Sequence, residues 1–279
     1  MVPNGAVERV TLANGVTMPC LGLGVWQASD REVERVIPQA VEIGYRLIDT
    51  ATLYENEAGV GRGIRAAAVP REELFITTKV WNRDQGYERT LAAFEASRKR
   101  LGLEYIDLYL IHWAVPDRYP ETWRALETLY RDGAVRAVGV SNFVVSHLER
   151  ILQESELVPM VNQIERHPYH AQTPVVAFCQ AHGIQVEAWA PLMRGGPLLS
   201  DPAIATIAAR HGKTPAQVVL RWHLQHHVIP IPKTVRPERL RENLDVFDFT
   251  LSAEEMAALD RLDREQQSFP YDPVAVRFG

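Results

Sequence analysis

Asp49 and Tyr54 stand five residues apart in "GYRLIDTATLYENE", where an apolar, β-prone run ends in a carboxylate and a phenol follows just beyond it. Lys79 stands next to last in "LFITTKV" and His112 closes "LYLIH", each again near the end of a β-prone run. A carboxylate, a phenol, an ammonium and an imidazole brought together could donate a proton to a developing alkoxide. A free phenol has a pKa of about 10, too high to donate freely at neutral pH, and a neighbouring ammonium favours the phenolate. Asp49 would keep a buried Lys79 charged, since a lone buried ammonium tends to shed its proton. Lys79 would then lower the pKa of Tyr54, and His112 would orient a substrate carbonyl. General acid help of this kind is worth roughly 10²–10⁴ in rate. Taken singly, each residue has a plainer reading: Asp49 as a helix cap, Lys79 as an exposed strand end, His112 as a core histidine, Tyr54 as a staple for the helix that starts near Glu55 and Asn56.

Those side chains meet only if strand ends converge. Eight short β-rich runs, "CLGLGVW", "YRLIDTA", "LFITTKV", "YIDLYLIHW", "AVRAVGVSN", "MVNQIER", "IQVEAWAP" and "VIPIPKT", alternate with segments of helical period such as "SDREVERVIPQAVEIG" and "GYERTLAAFEASRKRLG". Such alternation implies parallel strands with right-handed crossovers. Eight units in 279 residues suit a single-domain α/β fold, a (β/α)₈ TIM barrel, with a doubly wound open sheet as the alternative. Ahead of them, "VERVTLANGVTMP" predicts a small hairpin around Asn14-Gly15. No Pro/Gly/Ser-rich linker divides residues 1–279, which reads as one domain. In a barrel the C-terminal strand ends carry the chemistry. Here they hold Asp49, Lys79, His112, Ser141, Asn142, Gln163 with Glu165, Trp189 and Lys233.

Composition narrows the classes. A net charge of −5 gives no general reason to expect nucleic acid or an anionic membrane as partner. The two cysteines, Cys20 and Cys179, make no secreted disulfide framework, so a reduced, cytoplasmic home is expected. No apolar run approaches the ~20 residues of a membrane span, and "MVPNGAVERV" lacks a cationic region followed by an apolar one.

Three motifs look more specific than they are. "GVGRGI" is spaced G-x-G-x-G inside a helical stretch, which suits close helix packing rather than a dinucleotide turn. "HGKTP" lacks the first glycine of a phosphate loop, because Ile207 stands there. "HLQHH" and "HPYH" bring neither carboxylates nor thiols at metal-ligand spacing, so no metal is expected.

"GYRLIDTATLYENEAGVGRGI", "IDLYLIHW", "GVSNF", "VNQIE" and "IPKTVRPERLRENLDVFDF" together resemble the aldo-keto reductases, in order and across nearly the whole chain. "VEAWAPL" and "HGKTPAQVVLRWHLQ" are similar to its bacterial branch of 2,5-diketo-gluconate reductases and prostaglandin F synthase-like proteins. The resemblance implies a (β/α)₈ barrel with an N-terminal hairpin closing the bottom and a C-terminal helix and tail near the mouth. It implies NADPH-dependent reduction of aldehydes and ketones without a metal, by a tetrad that falls on Asp49, Tyr54, Lys79 and His112. It places Ser141, Asn142 and Gln163 on the nicotinamide carboxamide and Trp189 against the nicotinamide ring. Pro191, Leu192 and Arg194 would follow the pyrophosphate, with Ala190 where serine is frequent. Lys233, Thr234, Val235, Arg236 and Arg239 fall around the 2′-phosphate, and Glu242 and Asn243 at the adenine. Trp26, Trp81 and Trp113 would make a wide aromatic rim for a small-molecule carbonyl substrate, beside Tyr54 and His112. A monomer is the default for such a chain.

Other functions compete. A Schiff-base aldolase on Lys79 or Lys233 needs a lysine free of a carboxylate partner, and a metal-dependent hydrolase would want an H-x-H that "LGLGVW" lacks. An NADP(H)-binding sensor or regulatory subunit with little turnover is the alternative from another class.

Overall fold

The computed structural model describes residues 8–275. Strands β1 (Arg9–Thr11) and β2 (Thr17–Pro19) pair antiparallel, and Gly15 takes φ +85° in the turn between them. Leu12 and Met18 are buried, and the Asn14 amide donates to the Arg136 carbonyl at 2.9 Å, so the hairpin packs beneath the N-terminal ends of the strands.

The eight expected units follow. The strands are β3 (Leu23–Gly24), β4 (Leu47–Asp49), β5 (Phe75–Val80), β6 (Ile106–Ile111), β7 (Val135–Ser141), β8 (Val161–Glu165), β9 (Gln185–Trp189) and β10 (Ile229–Pro230). Neighbours pair in parallel from β3 through to β10. Six helices alternate with the strands from β3 to β9: α1 (Asp30–Ile43), α2 (Glu57–Ala66), α3 (Tyr87–Leu101), α4 (Tyr119–Arg131), α5 (Val145–Glu154) and α6 (Thr173–Ala181). Then α7 (Pro202–His211) and α8 (Pro215–Gln225) precede β10, and α9 (Pro237–Leu244) and α10 (Ala253–Asp260) follow it.

The sheet closes on itself, which decides for the barrel over the open sheet. Gly22 N–H donates to Pro230 O at 3.1 Å, Gly24 N–H to Pro232 O at 3.2 Å, and Gly24 bridges to Lys233 in parallel. A Cβ on Gly24 would stand 2.8 Å from the Ile231 carbonyl oxygen, so the seam needs glycine for close backbone approach.

Local sequence explains the outer layer. Ser29 and Glu32 form a capping box that starts α1, and Gly44 ends it at φ 128°. "GVGRGI" lies inside α2, where a Cβ on Gly59 would be 2.3 Å from Asp30 O and one on Gly61 2.1 Å from Leu101 O. "HGKTP" is the turn between α7 and α8, with Gly212 as C-cap and Thr214 as N-cap in a second capping box. Helix α10 packs on α7 in a second apolar cluster around Leu198, Ile204, Trp222 and Leu259, and the chain then passes to the tail over the barrel mouth. Among the described residues no helix is long and apolar enough to cross a membrane.

Candidate active site

Asp49 ends β4 and Lys79 lies one residue before the end of β5, so both side chains enter the ring near its C-terminal mouth. Lys79, wholly buried, donates through Nζ to Asp49 Oδ1 at 2.6 Å and to the Thr50 carbonyl at 2.9 Å. Burial pulls the ammonium's pKa down, but the charge of Asp49 and the nearby Tyr54 more than offset it and hold it above the usual lysine value. The lysine is therefore charged where it lies.

Tyr54 sits on a single 3₁₀ turn, Thr52–Tyr54, not in the following helix. Glu55 breaks that turn with φ 56°, and α2 starts only at Glu57 behind Asn56. Asn56, buried, fixes the turn: its amide donates to Val25 O at 3.0 Å and Ala28 O at 2.9 Å, and it accepts from the Thr50 hydroxyl at 2.7 Å. The Lys79 ammonium stands 5.2 Å from the Tyr54 ring centroid.

The expected lowering of the Tyr54 pKa is not the net result. Burial of the hydroxyl pushes it up to about 12, Lys79 pulls it down by charge and hydrogen bonding, and Asp49 and Glu187 push it up again. Desolvation wins because the phenolate would lie in low dielectric beside a cation already paired with a carboxylate. The phenol thus keeps its proton throughout the neutral range and yields it only to a stronger base, such as an alkoxide.

His112 follows β6 and is 7% exposed, with its ring edge-on to Tyr54 at 5.9 Å and to Trp81 at 5.1 Å. Burial, then the charge of Lys79, hold its pKa well below the ordinary histidine value, so it is a neutral imidazole. The structure brings Asp49, Tyr54, Lys79 and His112 together.

Ser141, Asn142, Gln163 and Trp189 come next round the mouth. Asn142, at φ 61°, donates to the His112 carbonyl at 3.0 Å and to Ser141 Oγ at 3.1 Å, and accepts from Trp189 Nε1 at 2.8 Å. Gln163 spends its NH₂ inward, on Asp49 Oδ2 at 2.8 Å and Glu187 Oε2 at 2.7 Å. Glu187, on β9 and fully buried, is a group the motif reading passed over inside "VEAWAPL". Its signal was a lone acid in an otherwise apolar run.

Asp49, Tyr54, His112, Ser141, Asn142, Gln163 and Trp189 line one end of a cavity of about 940 Å³ that continues past Trp26, Ala190, Pro191, Leu192 and Arg194 to Lys233, Thr234, Val235, Arg236, Arg239, Glu242 and Asn243. Arg194 reaches over the Trp26 ring, 4.6 Å from its centroid. At the far end, Arg236 caps α9 and Arg239 lies in its first turn. Neither they nor Lys233 forms an ion pair among the described residues. The Thr234 hydroxyl accepts from Arg236 N–H at 3.1 Å, and Glu242 is engaged by the Thr214 hydroxyl at 2.6 Å. Uncommitted cations, a hydroxyl and a helix start suit a phosphate group. The cavity size is at the upper end of the ~300–1,000 Å³ usual for small-molecule sites. The residues present fit NADP(H).

The tail narrows the aromatic rim. Ser268 N–H donates to Glu165 Oε1 at 2.6 Å, Phe269 lines the cavity, and Tyr271 stands edge-on to Trp113 at 5.2 Å. Trp81 and Trp113 are buried beneath this cover, so the rim is tighter than three indoles alone would make it. Residues 276–279 of the tail, like residues 1–7, lie outside the described residues. The remaining histidine motifs serve packing: buried His223 has its two ring nitrogens beside the Val219 and Arg166 carbonyls and can donate to one of them, and His167 bridges back to His170.

A charged lysine–carboxylate pair set beside a phenol at the mouth of a parallel barrel defines a class of oxidoreductase acting on carbonyls and alcohols. The chain belongs to the Aldo/keto reductase family, whose model matches residues 20–264. It is 53% identical over 270 residues to glyoxal reductase of Bacillus subtilis (strain 168), spanning 96% of this chain and 98% of that one. It is 51% identical to morphine 6-dehydrogenase of Pseudomonas putida over 275 residues, 93% of this chain and 92% of the relative. Among solved structures, a Gox0644 variant in complex with NADPH superposes with a TM-score of 0.93 at 47% identity, covering 98% of this chain and all of that one. An aldo-keto reductase of Bombyx mori in complex with NADP does so with a TM-score of 0.89 at 36% identity, over 95% of each chain.

Proposed function

We propose that this chain reduces aldehydes and ketones to alcohols with NADPH, Tyr54 acting as general acid. The observation that carries the reading is one continuous cavity with Asp49, Tyr54 and His112 at one end, Lys79 bonded to Asp49 just behind that wall, and Lys233, Arg236 and Arg239 at the other end. Bound NADPH supplies a hydride to the carbonyl carbon. Tyr54 holds its proton until negative charge develops on the oxygen, then releases it there. Lys79, kept charged by Asp49, stabilises the phenolate that remains, an interaction stronger after transfer than before, which is what lowers a barrier. Neutral His112 is placed to hydrogen-bond the carbonyl oxygen. Trp26, Trp81 and Trp113, with Phe269 of the tail, exclude water from the reacting end.

The relatives include glyoxal reductase of Bacillus subtilis and a methylglyoxal reductase of Yersinia pestis, 50% identical over 257 residues, so small α-oxoaldehydes are the first substrates to try. Loss of NADPH absorbance would be followed with glyoxal, methylglyoxal and a bulkier aromatic aldehyde, with NADH in parallel. Turnover with NADPH on at least one of them is expected; tight cofactor binding with turnover on none would defeat the reading. We also propose one domain over residues 1–279, a monomer, and a cytoplasmic home. The unbonded thiols of Cys20 and Cys179 support the compartment, and light scattering of the purified chain tests the monomer.

A further inference from the structure

Glu187 has no part in the mechanism above, yet it is fully buried directly behind it. Two carboxylates, Asp49 from β4 and Glu187 from β9, share a single NH₂ group, that of Gln163 from β8. The one ammonium within reach, Lys79 from β5, sits on Asp49 Oδ1 and on the Thr50 carbonyl, which leaves Glu187 without a counter-ion. Glu187 Oε1 is buried with no partner among the described residues. The other strand beside it, β10, contributes Ile229 at the same register. Asp49, Lys79 and, from the 3₁₀ turn, Tyr54 are the charged or titratable groups that face it. Two like charges joined through one amide cannot both be held cheaply in low dielectric, so one carboxyl keeps its proton.

An amide has one NH₂ and one carbonyl. With both N–H bonds committed inward, Gln163, which also lines the cavity, is left only its carbonyl oxygen for a cofactor. A rotated amide would aim its oxygen at the Asp49 carboxylate and take the N–H from Glu187 Oε2. Asp49 and Glu187 together therefore decide which end of Gln163 a nicotinamide carboxamide meets. Resting on the function proposed above, we propose that Glu187 is a positioning residue: a neutral acid behind Gln163 that fixes its amide toward the nicotinamide end of the cavity and ionises when the oxidised, cationic cofactor binds.

The support from titration agrees with the geometry. Burial, then the charge of Asp49, push Glu187 up to about 8, while the Gln163 hydrogen bond and Lys79 pull the other way. The group is thus mostly neutral at pH 7 and ionises just above. A cationic pyridinium favours the carboxylate and a neutral dihydropyridine does not, so the oxidised cofactor gains affinity as pH rises and the reduced one does not. By linkage, each unit by which the cation lowers the Glu187 pKa is a tenfold gain between the two pH limits. Titration of the 2′-phosphate, with its second pKa of about 6, is common to both cofactors and cancels in their ratio.

The test is the dissociation constants of NADP⁺ and NADPH, measured by calorimetry from pH 6 to pH 9 on the wild-type chain, Glu187→Gln and Glu187→Ala. In the wild type the NADP⁺ to NADPH ratio should fall about tenfold across that range. Glu187→Gln, an uncharged isostere of the acid, should keep both affinities within about threefold of the pH 6 wild-type values and give a flat ratio. Glu187→Ala, which removes one of the two acceptors that hold the Gln163 NH₂, should bind NADPH about tenfold more weakly at every pH. A flat ratio in the wild type overturns the proposal without need of a variant, and so does a wild-type slope in Glu187→Gln. A wild-type chain that binds neither cofactor defeats the proposed function first, and the two failures are told apart by that result.

Discussion

The two ends of the cavity are built on opposite principles. At the reacting end the groups are buried or half-buried, carried on or just beyond strands, and bonded to one another: Lys79 to Asp49, Asp49 to Gln163, Gln163 to Glu187, Asn142 to Trp189. At the far end Lys233, Arg236 and Arg239 are exposed, on the segment leading into α9 and in its first turn, and none of them is in a salt bridge among the described residues. A group whose position decides a barrier is worth fixing before substrate arrives, since misplacement by about 1 Å costs as much as 10²-fold. Cations meant for a mobile anion gain from staying hydrated and unpaired until it docks.

Substitutions at the two ends should therefore fail in different ways. The largest effect is expected from Tyr54→Phe, which should lower turnover by about 10²–10⁴ while leaving the NADPH dissociation constant unchanged. Steady-state rates beside a binding titration check it, and wild-type turnover would remove Tyr54 as the acid. Lys79→Met strands a buried carboxylate and should cost about 3–5 kcal/mol of stability in denaturant melts, as well as turnover. A melt unchanged from wild type would mean that Asp49 is not held by Lys79.

At the open end the losses should be smaller and confined to binding. Arg239→Ala should weaken NADPH about tenfold and leave NADH untouched, the scale of one charge-assisted hydrogen bond. Equal losses for both cofactors would show that the residue does not meet the 2′-phosphate. Arg194→Ala removes the stack on Trp26 and should loosen NADPH by about 0.5–1 kcal/mol, roughly two- to fivefold, read as a faster dissociation rate in stopped flow. No change in that rate would leave the stack without a part in holding the cofactor.

The same contrast marks what was legible in the sequence. The apolar runs predicted all eight barrel strands, because a strand buried in a parallel sheet reads as a short apolar segment with a polar residue at its exit. Asp49, Lys79 and Gln163 stood at such exits, and the basic start of α9 was visible as a charge cluster. Glu187 was not legible: within "IQVEAWAP" a single acid has no declared direction, and only closure of the ring turns it toward Asp49. Nor was the Glu165 bond to Ser268, which joins residues 103 positions apart. The net direction of the Tyr54 shift depended on depth of burial, a property of the folded surroundings that residue types do not state. Asn56, read as part of a helix start, proved to be the clamp on the turn that carries Tyr54.

Closure of the ring at Gly22 and Gly24 has a consequence for how the chain is made. The segment that completes the circle against β3 runs from β10 to Lys233, so β3 leaves the ribosome long before its second neighbour exists. Until then a short edge with unpaired backbone groups waits, and such edges invite association with other chains. At only two residues, β3 offers little length to a passing strand, and Gly24 within it gives no side chain to grip.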